Sequence, residues 1–326
     1  MSEKLKRLTF ADRRRRGIGG SDVAPILGLS KFRNAWDVLA AKRGLKPRKP
    51  EEQEEDHLLI GRLMEPVVAA LYERHEGKRL IVPPGFIRHP EHEFIIANPD
   101  RFVEGEERGA EIKTCGIWGR ADWGDEGTDQ VPTDYLMQSV HYMAVTGWNH
   151  WDVPVLFHGS RYALFVIERD IDLERWVLDR LTAWWKTHII DGWDLPLDNS
   201  EGCAEFIALR YPRNEKPMAQ ASDDAVEAAQ RLAELRKRID VIESEVIGLE
   251  NIIKDEIGES EGIAGPFGKA TWKRTKDSEV TDWQAVAEQL LKKLPKEDAA
   301  QLVAACKKIK PGHRRFMLMT TKEDTK

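Results

Sequence analysis

Apolar side chains between His57 and Glu76 recur at helical spacing (Leu59, Leu63, Val67, Ala70, Leu71), which predicts a helix that Pro66 either kinks or restarts. Ahead of it, Ser21 or Asp22 caps a short helix over 23–28, and Ser30 precedes a second over about 34–43. "KPRKPEEQEED" (46–56) reads as a polar loop. From Lys78 to Thr114 the period changes to short β-rich runs broken by Pro, Gly and acidic turns, a meander of three or four strands. "TDYLMQSVHYMAVTG" is a helix that stops at Gly147. "HWDVPVLFHG" and "RYALFVIERD" form a hairpin across "HGS", and 173–190 is an amphipathic helix. Strands and helices mixed in this way predict an α/β (α+β) core, a mixed bent sheet flanked by helices.

Beyond residue 200 the pattern differs. Ala225, Ala228, Leu232, Leu235, Ile239, Ile242, Val246, Leu249 and Ile253 alternate at spacings of three and four, the seam of a coiled-coil-like arm. "FGKATWKRTKDSEVTD" alternates like a strand pair, "WQAVAEQLLKKL" and "EDAAQLVAACKK" read as helices, and "GHRRFMLMT" as a last strand. The expected division is a main domain over 1–200, a helical arm over 201–261 and a small α/β cap over 262–326.

Composition narrows the class. With 41% hydrophobic and 33% charged residues and no long apolar run, the chain is expected to be soluble and not membrane-spanning. The N-terminus has basic residues without an apolar region behind them, so no secretory signal is expected and the cytoplasm is the expected location. Cys115, Cys203 and Cys306 lie too far apart for a zinc knuckle and are odd in number, so reduced thiols are expected. Net charge is -6, yet residues 1–50 hold fourteen Lys or Arg against four acidic residues, a net of +10 on a body of -16. A basic patch on an acidic body suits one local grip on a polyanion, and equally a solvated basic tail.

The chemistry concentrates in "NPDRFV" and "RGAEIKT". Asp100, ten intervening residues, then Glu111 and Lys113 give the pattern P-D…E-x-K. On a strand Glu111 and Lys113 share a face while Ile112 points into the core. Two carboxylates about 4 Å apart repel by about 4 kcal/mol at an effective dielectric of ~20, and a hard divalent cation removes that cost. Lys113 beside such an ion can orient or deprotonate the attacking water. By itself E-x-K also describes a surface ion pair. "GIGGSDV" has Val23 where a serine-hydrolase elbow needs glycine, and it lacks the P-loop lysine. The nine histidines make no H-E-x-x-H, and His89 and His92 read as exposed loop residues.

"RRRRGIGGSDVAPILGLSKF", "GRLMEPVVAALYE", "ANPDRFVEG", "AEIKT" and "VPTDYLMQSVHYMAVTG" occur in an order that resembles the YqaJ-like viral recombinase family, phage alkaline exonucleases of the lambda exonuclease type within the PD-(D/E)XK nuclease superfamily. The resemblance covers about residues 10–190. It implies a Mg²⁺-dependent enzyme (Mn²⁺ as possible substitute) that degrades double-stranded DNA ends 5′ to 3′. The 3′ single-stranded tail would pass to a phage single-strand annealing protein in the bacterial host, and the enzyme would be a homo-oligomer of the trimeric-ring type. By the same resemblance Asp100 and Glu111 are metal-binding carboxylates, with the Ile112 carbonyl and Glu65 as further ligands, and Lys113 is the catalytic lysine. Arg14 (or Arg13 or Arg16) and Ser21 hold the 5′-phosphate, an anion site of guanidinium, hydroxyl and helix-start amides. Gln138 lines the site with Tyr135 and Tyr142, for which core packing is an equal reading. The alternatives are a structure-specific or restriction-like endonuclease with the same residues, and a DNA-end-binding protein without catalysis.

Overall fold

Every residue from Trp151 to Phe157 is buried, as expected of a strand covered on both faces. The computed structural model describes residues 10–46, 55–308 and 312–318, and the chain divides between Tyr211 and Pro212 into two compact units. In the first unit α1 (Phe10–Arg15), α2 (Gly20–Ile26), α3 (Ala35–Lys42) and the long α4 (Asp56–Glu76) precede six short strands. These are β1 (Leu80–Ile81), β2 (Ile87–Arg88), β3 (Ile96–Ala97), β4 (Arg101–Val103), β5 (Arg108–Ala110) and β6 (Lys113–Cys115). A 3₁₀ turn (Ile117–Asp122), α5 (Thr133–Thr146), the hairpin of β7 (His150–Phe157) and β8 (Arg161–Glu168), α6 (Ile171–Trp185) with a π turn behind it, and α7 (Glu201–Arg210) complete the unit.

The main sheet is mixed. β1, β4 and β5 pair antiparallel in turn, β5 and β6 lie end to end along one edge of β7 and parallel to it, and β8 takes the other edge. The single strand expected over 108–114 is therefore split, and the split has a chemical cause. Glu111 donates its N–H to the Asp152 carbonyl at 2.9 Å, but in that register its own carbonyl faces Pro154, which has no N–H to return.

Alternate residues of β7 look to opposite sides. Leu156 packs with Ile112 against Val68 and Ala69 of α4, whereas Trp151, Val153, Val155 and Phe157 join the large core under α2, α3, α5 and α6. Gly109 sits beside Trp151, where a Cβ would lie 2.2 Å from the indole ring, so β5 approaches β7 closely only because this position lacks a side chain. The expected mixed sheet flanked by helices is what the chain forms. The expected meander is six pieces of two or three residues, with β2 and β3 in a sheet of their own. The helix expected over 23–28 is α2, which begins at Gly20 because the Asp22 carboxylate reaches back to the Gly19 N–H at 3.1 Å, and α1 ahead of it was not expected.

The second unit holds α8 (Asp223–Ile257), the antiparallel pair β9 (Gly262–Gly265) and β10 (Gly268–Thr271), α9 (Trp283–Lys292) and α10 (Lys296–Cys306). The strand pair expected in "FGKATWKRTKDSEVTD" lies earlier, turning over Pro266 and Phe267, with Gly268 at φ 105° opening β10. Residues 312–318 form no strand. Residues 319–320 of that expected strand, and 47–54 of the expected polar loop, lie outside the described residues. Cys115 and Cys203 are buried free thiols and Cys306 an exposed one. No helix among the described residues is long and apolar enough to cross a membrane.

Candidate active site

The ladder between β4 and β5 runs through Arg101↔Ala110, and one residue further on the strands part at Asp100 and Glu111. Asp100 Oδ2 accepts the Ile112 N–H at 2.8 Å. In an extended backbone the Ile112 carbonyl points the same way as its N–H, toward Asp100. With Ile112 packed toward α4, Glu111 and Lys113 face α5. Lys113 Nζ donates to Glu111 Oε1 at 2.9 Å and to Gln138 Oε1 at 3.3 Å, and stands 4.6 Å from the centre of the Tyr135 ring. Gln138 Nε2 donates to Glu111 Oε1 and to the Tyr142 hydroxyl.

The electrostatics of this cluster are those of too many carboxylates. Burial first, and the Glu111 charge second, push Asp100 up to about 8. Burial disfavours the Lys113 ammonium, but Glu111 and Asp100 outweigh it and hold the lysine above its usual range. Burial and the Glu111 charge likewise raise the Tyr142 hydroxyl. Glu111 Oε2 is buried with no hydrogen-bond partner, a costly state for a carboxylate oxygen. Among the described residues no three His, Cys, Asp or Glu side chains stand close enough to hold a metal by themselves. Two carboxylates, one with an orphaned oxygen and one resisting ionisation, beside a backbone carbonyl fit a hard cation that keeps several waters. Glu65 on α4 is ion-paired with Arg101, although its charge still adds to the pressure on Asp100.

"RRRRGIGGS" is sewn down on the other side of the same pocket. Ile18 donates to the Phe94 carbonyl at 2.7 Å and accepts from the Ile96 N–H at 2.9 Å. Gly20 rests on α5 so closely that a Cβ would lie 2.8 Å from Gln138 Cγ and Tyr142 Cε1. Asp22, 3% exposed, takes the Lys42 ammonium at 2.6 Å, and Lys42 also donates to the Arg14 carbonyl at 2.9 Å. Burial opposes the Asp22 charge, but Lys42 and Arg14 bring its pKa below the usual carboxylate value. With the backbone fixed in this way, the Arg14 guanidinium meets the Ser21 hydroxyl, both exposed.

A pocket of about 290 Å³ unites these parts, running from Arg14, Gly20 and Ser21 past Asn98 to Asp100, Glu111, Lys113, Gln138 and Tyr142. Of the four consecutive arginines, Arg14 lines it, and Arg13 and Arg16 do not. Glu65 and Tyr135 lie outside the lining, Tyr135 beneath the Lys113 ammonium. His89 is buried, not exposed as expected, because its Nδ1 accepts the backbone N–H groups of Glu91 and His92.

Sequence reasoning passed over two supports. Asp152, 1% exposed, takes the Tyr72 hydroxyl at 2.6 Å and pairs with Arg108, while its carbonyl holds Glu111. A lone acid inside the apolar run "HWDVPVLF" was the available signal. The Asp22–Lys42 pair had none, since twenty residues separate its members.

The family model of the YqaJ-like viral recombinase domain matches residues 9–149. A relative from Bacillus subtilis (strain 168), "Uncharacterized protein YqaJ", is 31% identical over 276 residues, covering 83% of this chain and 85% of the relative. Among solved structures, LHK-Exo in complex with dAMP superposes with a TM-score of 0.46 at 21% identity, over 56% of this chain and 92% of that one. A phage related exonuclease from Haemophilus somnus 129PT gives 0.39 at 15% identity, over 54% and 96%.

Proposed function

Since the chain belongs to the YqaJ-like viral recombinase family, we propose that it is a deoxyribonuclease, a Mg²⁺-dependent exonuclease that starts at the ends of linear duplex DNA. It removes one strand 5′ to 3′, and the 3′ single-stranded tail left behind serves a single-strand annealing protein in phage-type recombination. Copies of the chain close into a ring, by the same resemblance. The observation that supports this best is the continuity of one pocket from the Arg14–Ser21 pair to Asp100, Glu111 and Lys113. An anion grip and a hydrolytic centre that share a cavity suit a substrate whose terminus carries phosphate.

Asp100, Glu111 and the Ile112 carbonyl would hold the cation. When bound, Mg²⁺ lowers the pKa of water and neutralises charge on the phosphate. The chain supplies the rest. The Arg14 guanidinium and Ser21 hydroxyl take oxygens of the 5′-phosphate, Arg being suited to two-point contact. Gln138 fixes the Glu111 carboxylate and keeps the Lys113 ammonium in line through its own oxygen. Lys113 stands where it can steady the attacking water and offset charge on the phosphate in the transition state. Glu65 takes part through its field and through Arg101.

The test is digestion of linear duplexes with 5′-phosphate or 5′-hydroxyl ends and of a closed circle, in Mg²⁺ and in EDTA. Linear substrates should be degraded in Mg²⁺ alone, the phosphorylated end fastest, with the circle untouched. Cutting of the circle would replace the exonuclease with an endonuclease. Lys113→Ala should lower the rate by at least ~10² while end binding persists, and an unchanged rate in that variant removes Lys113 from the chemistry.

A further inference from the structure

The helix α8 runs for 35 residues, and Ile257 is its one buried residue. Along its seam Leu235, Ile239, Ile242, Val246, Leu249 and Ile253 are between 39% and 56% exposed. Val241, Ile247 and Ile252 are exposed off this line as well, but only the seam repeats every three and four residues over the length of the helix, the spacing of a packing face. We propose that a second copy of the chain covers it, through its own α8 laid antiparallel.

The charges beside the seam set both occupant and direction. Arg231, Arg236 and Arg238 flank its N-terminal half, and Glu243, Glu245 and Glu250 its C-terminal half. In a parallel pair the flanking positions five residues apart would meet. Arg231 would face the partner's Arg236 and Glu245 the partner's Glu250, both repulsive, and only Arg238 would meet an opposite charge, the partner's Glu243. Reversing one helix removes both conflicts. When Leu232 is set opposite the partner's Leu249, Leu235 falls opposite the partner's Val246 and Ile239 opposite the partner's Ile242. The same register brings Arg236 to the partner's Glu243 and Arg238 to the partner's Glu245, and the two-fold axis repeats each pair. It also places the small Ala228 against the large Ile253 of the partner subunit. The Arg236 guanidinium lies 5.9 Å from the centre of the Phe316 ring, a contact made by its face that leaves its N–H edge free for a carboxylate.

Because the contact is two-fold, it doubles whatever assembly the first unit forms, and it does not depend on the nuclease reading. Light scattering on the full-length chain, at one concentration near the micromolar range, tests it. The charge variants R236E/R238E and E243R/E245R should each show half the wild-type mass, and an equimolar mixture should return to the wild-type value. Wild-type mass in both variants, or no recovery on mixing, would overturn the proposal. Arg236→Glu alone checks the direction. Weaker association fits the antiparallel register, while tighter association would mean that relief of Arg231–Arg236 repulsion matters, and hence a parallel pair.

Discussion

With burial and Glu111 together raising Asp100 to about 8, this side chain keeps its proton near neutrality whenever no cation is close, and the folded state then depends on pH in a definite direction. Its native pKa lies above the unfolded value of 3.8, so the native state binds more protons between about pH 4 and 8 and loses stability as pH rises through that window, by at most ~1.4 kcal/mol per unit. His141 works the other way at the acid end. Burial lowers it to about 4, against the pull of the Ile96 carbonyl. The native state therefore binds fewer protons between about 4 and 6.5, and stability rises with pH there. The two oppose each other below pH 6.5 and leave the Asp100 effect exposed above it. In EDTA, the melting temperature should fall from pH 6.5 to 8. Asp100→Asn, which keeps an acceptor for the Ile112 N–H, should flatten that fall, whereas an undiminished slope in the variant would assign it to another group.

At the scale of elements, what the sequence made legible depended on length. The helices over 56–76, 133–146 and 223–257 each carry enough turns for their period to show, and all three form. Strands of two or three residues carry no period, so β1 to β6 emerge as pieces where a meander was expected. Pro154 was visible, but that its missing N–H would fall where the Glu111 carbonyl needs a donor is a fact of register between distant segments. The site residues in quoted motifs were legible one by one, yet what fixes them was not. The Asp22–Lys42 pair ties α2 to α3 and, through the Arg14 carbonyl, holds the end of α1, so that Arg14 of α1 meets Ser21 of α2. Both side chains are nearly inaccessible, at 4% and 3%. Lys42→Met leaves the buried Asp22 charge with only the longer Arg33 ion pair at 3.7 Å, and unfolding in urea should show a loss of up to ~3–5 kcal/mol. A variant changing both residues to apolar ones should lose much less than the two singles combined. Additive losses would mean that the two side chains act separately and that the pair does not anchor the end of α1.

The whole chain distributes its apolar burial unevenly, and that bears on how it melts. Both hydrophobic clusters draw all their buried members from residues 18–206, while in the second unit Ile257 is the single buried apolar residue among those described. A 35-residue helix without a core beneath it gains little from propensity alone, since helices in water are marginal without tertiary packing. Its order should then be linked to association, and linkage makes a transition depend on concentration. Calorimetry of the full chain should show a lower transition that rises by a few degrees for each tenfold increase in concentration, a dependence that Arg236→Glu removes. A chain ending at Tyr211 keeps both clusters and the whole pocket. It should lack the lower transition, melt within about 2 °C of the main one and retain hydrolysis at linear ends. Loss of the main transition on truncation would show that the second unit completes the fold of the first, and a lower transition indifferent to concentration would remove association as the source of its order.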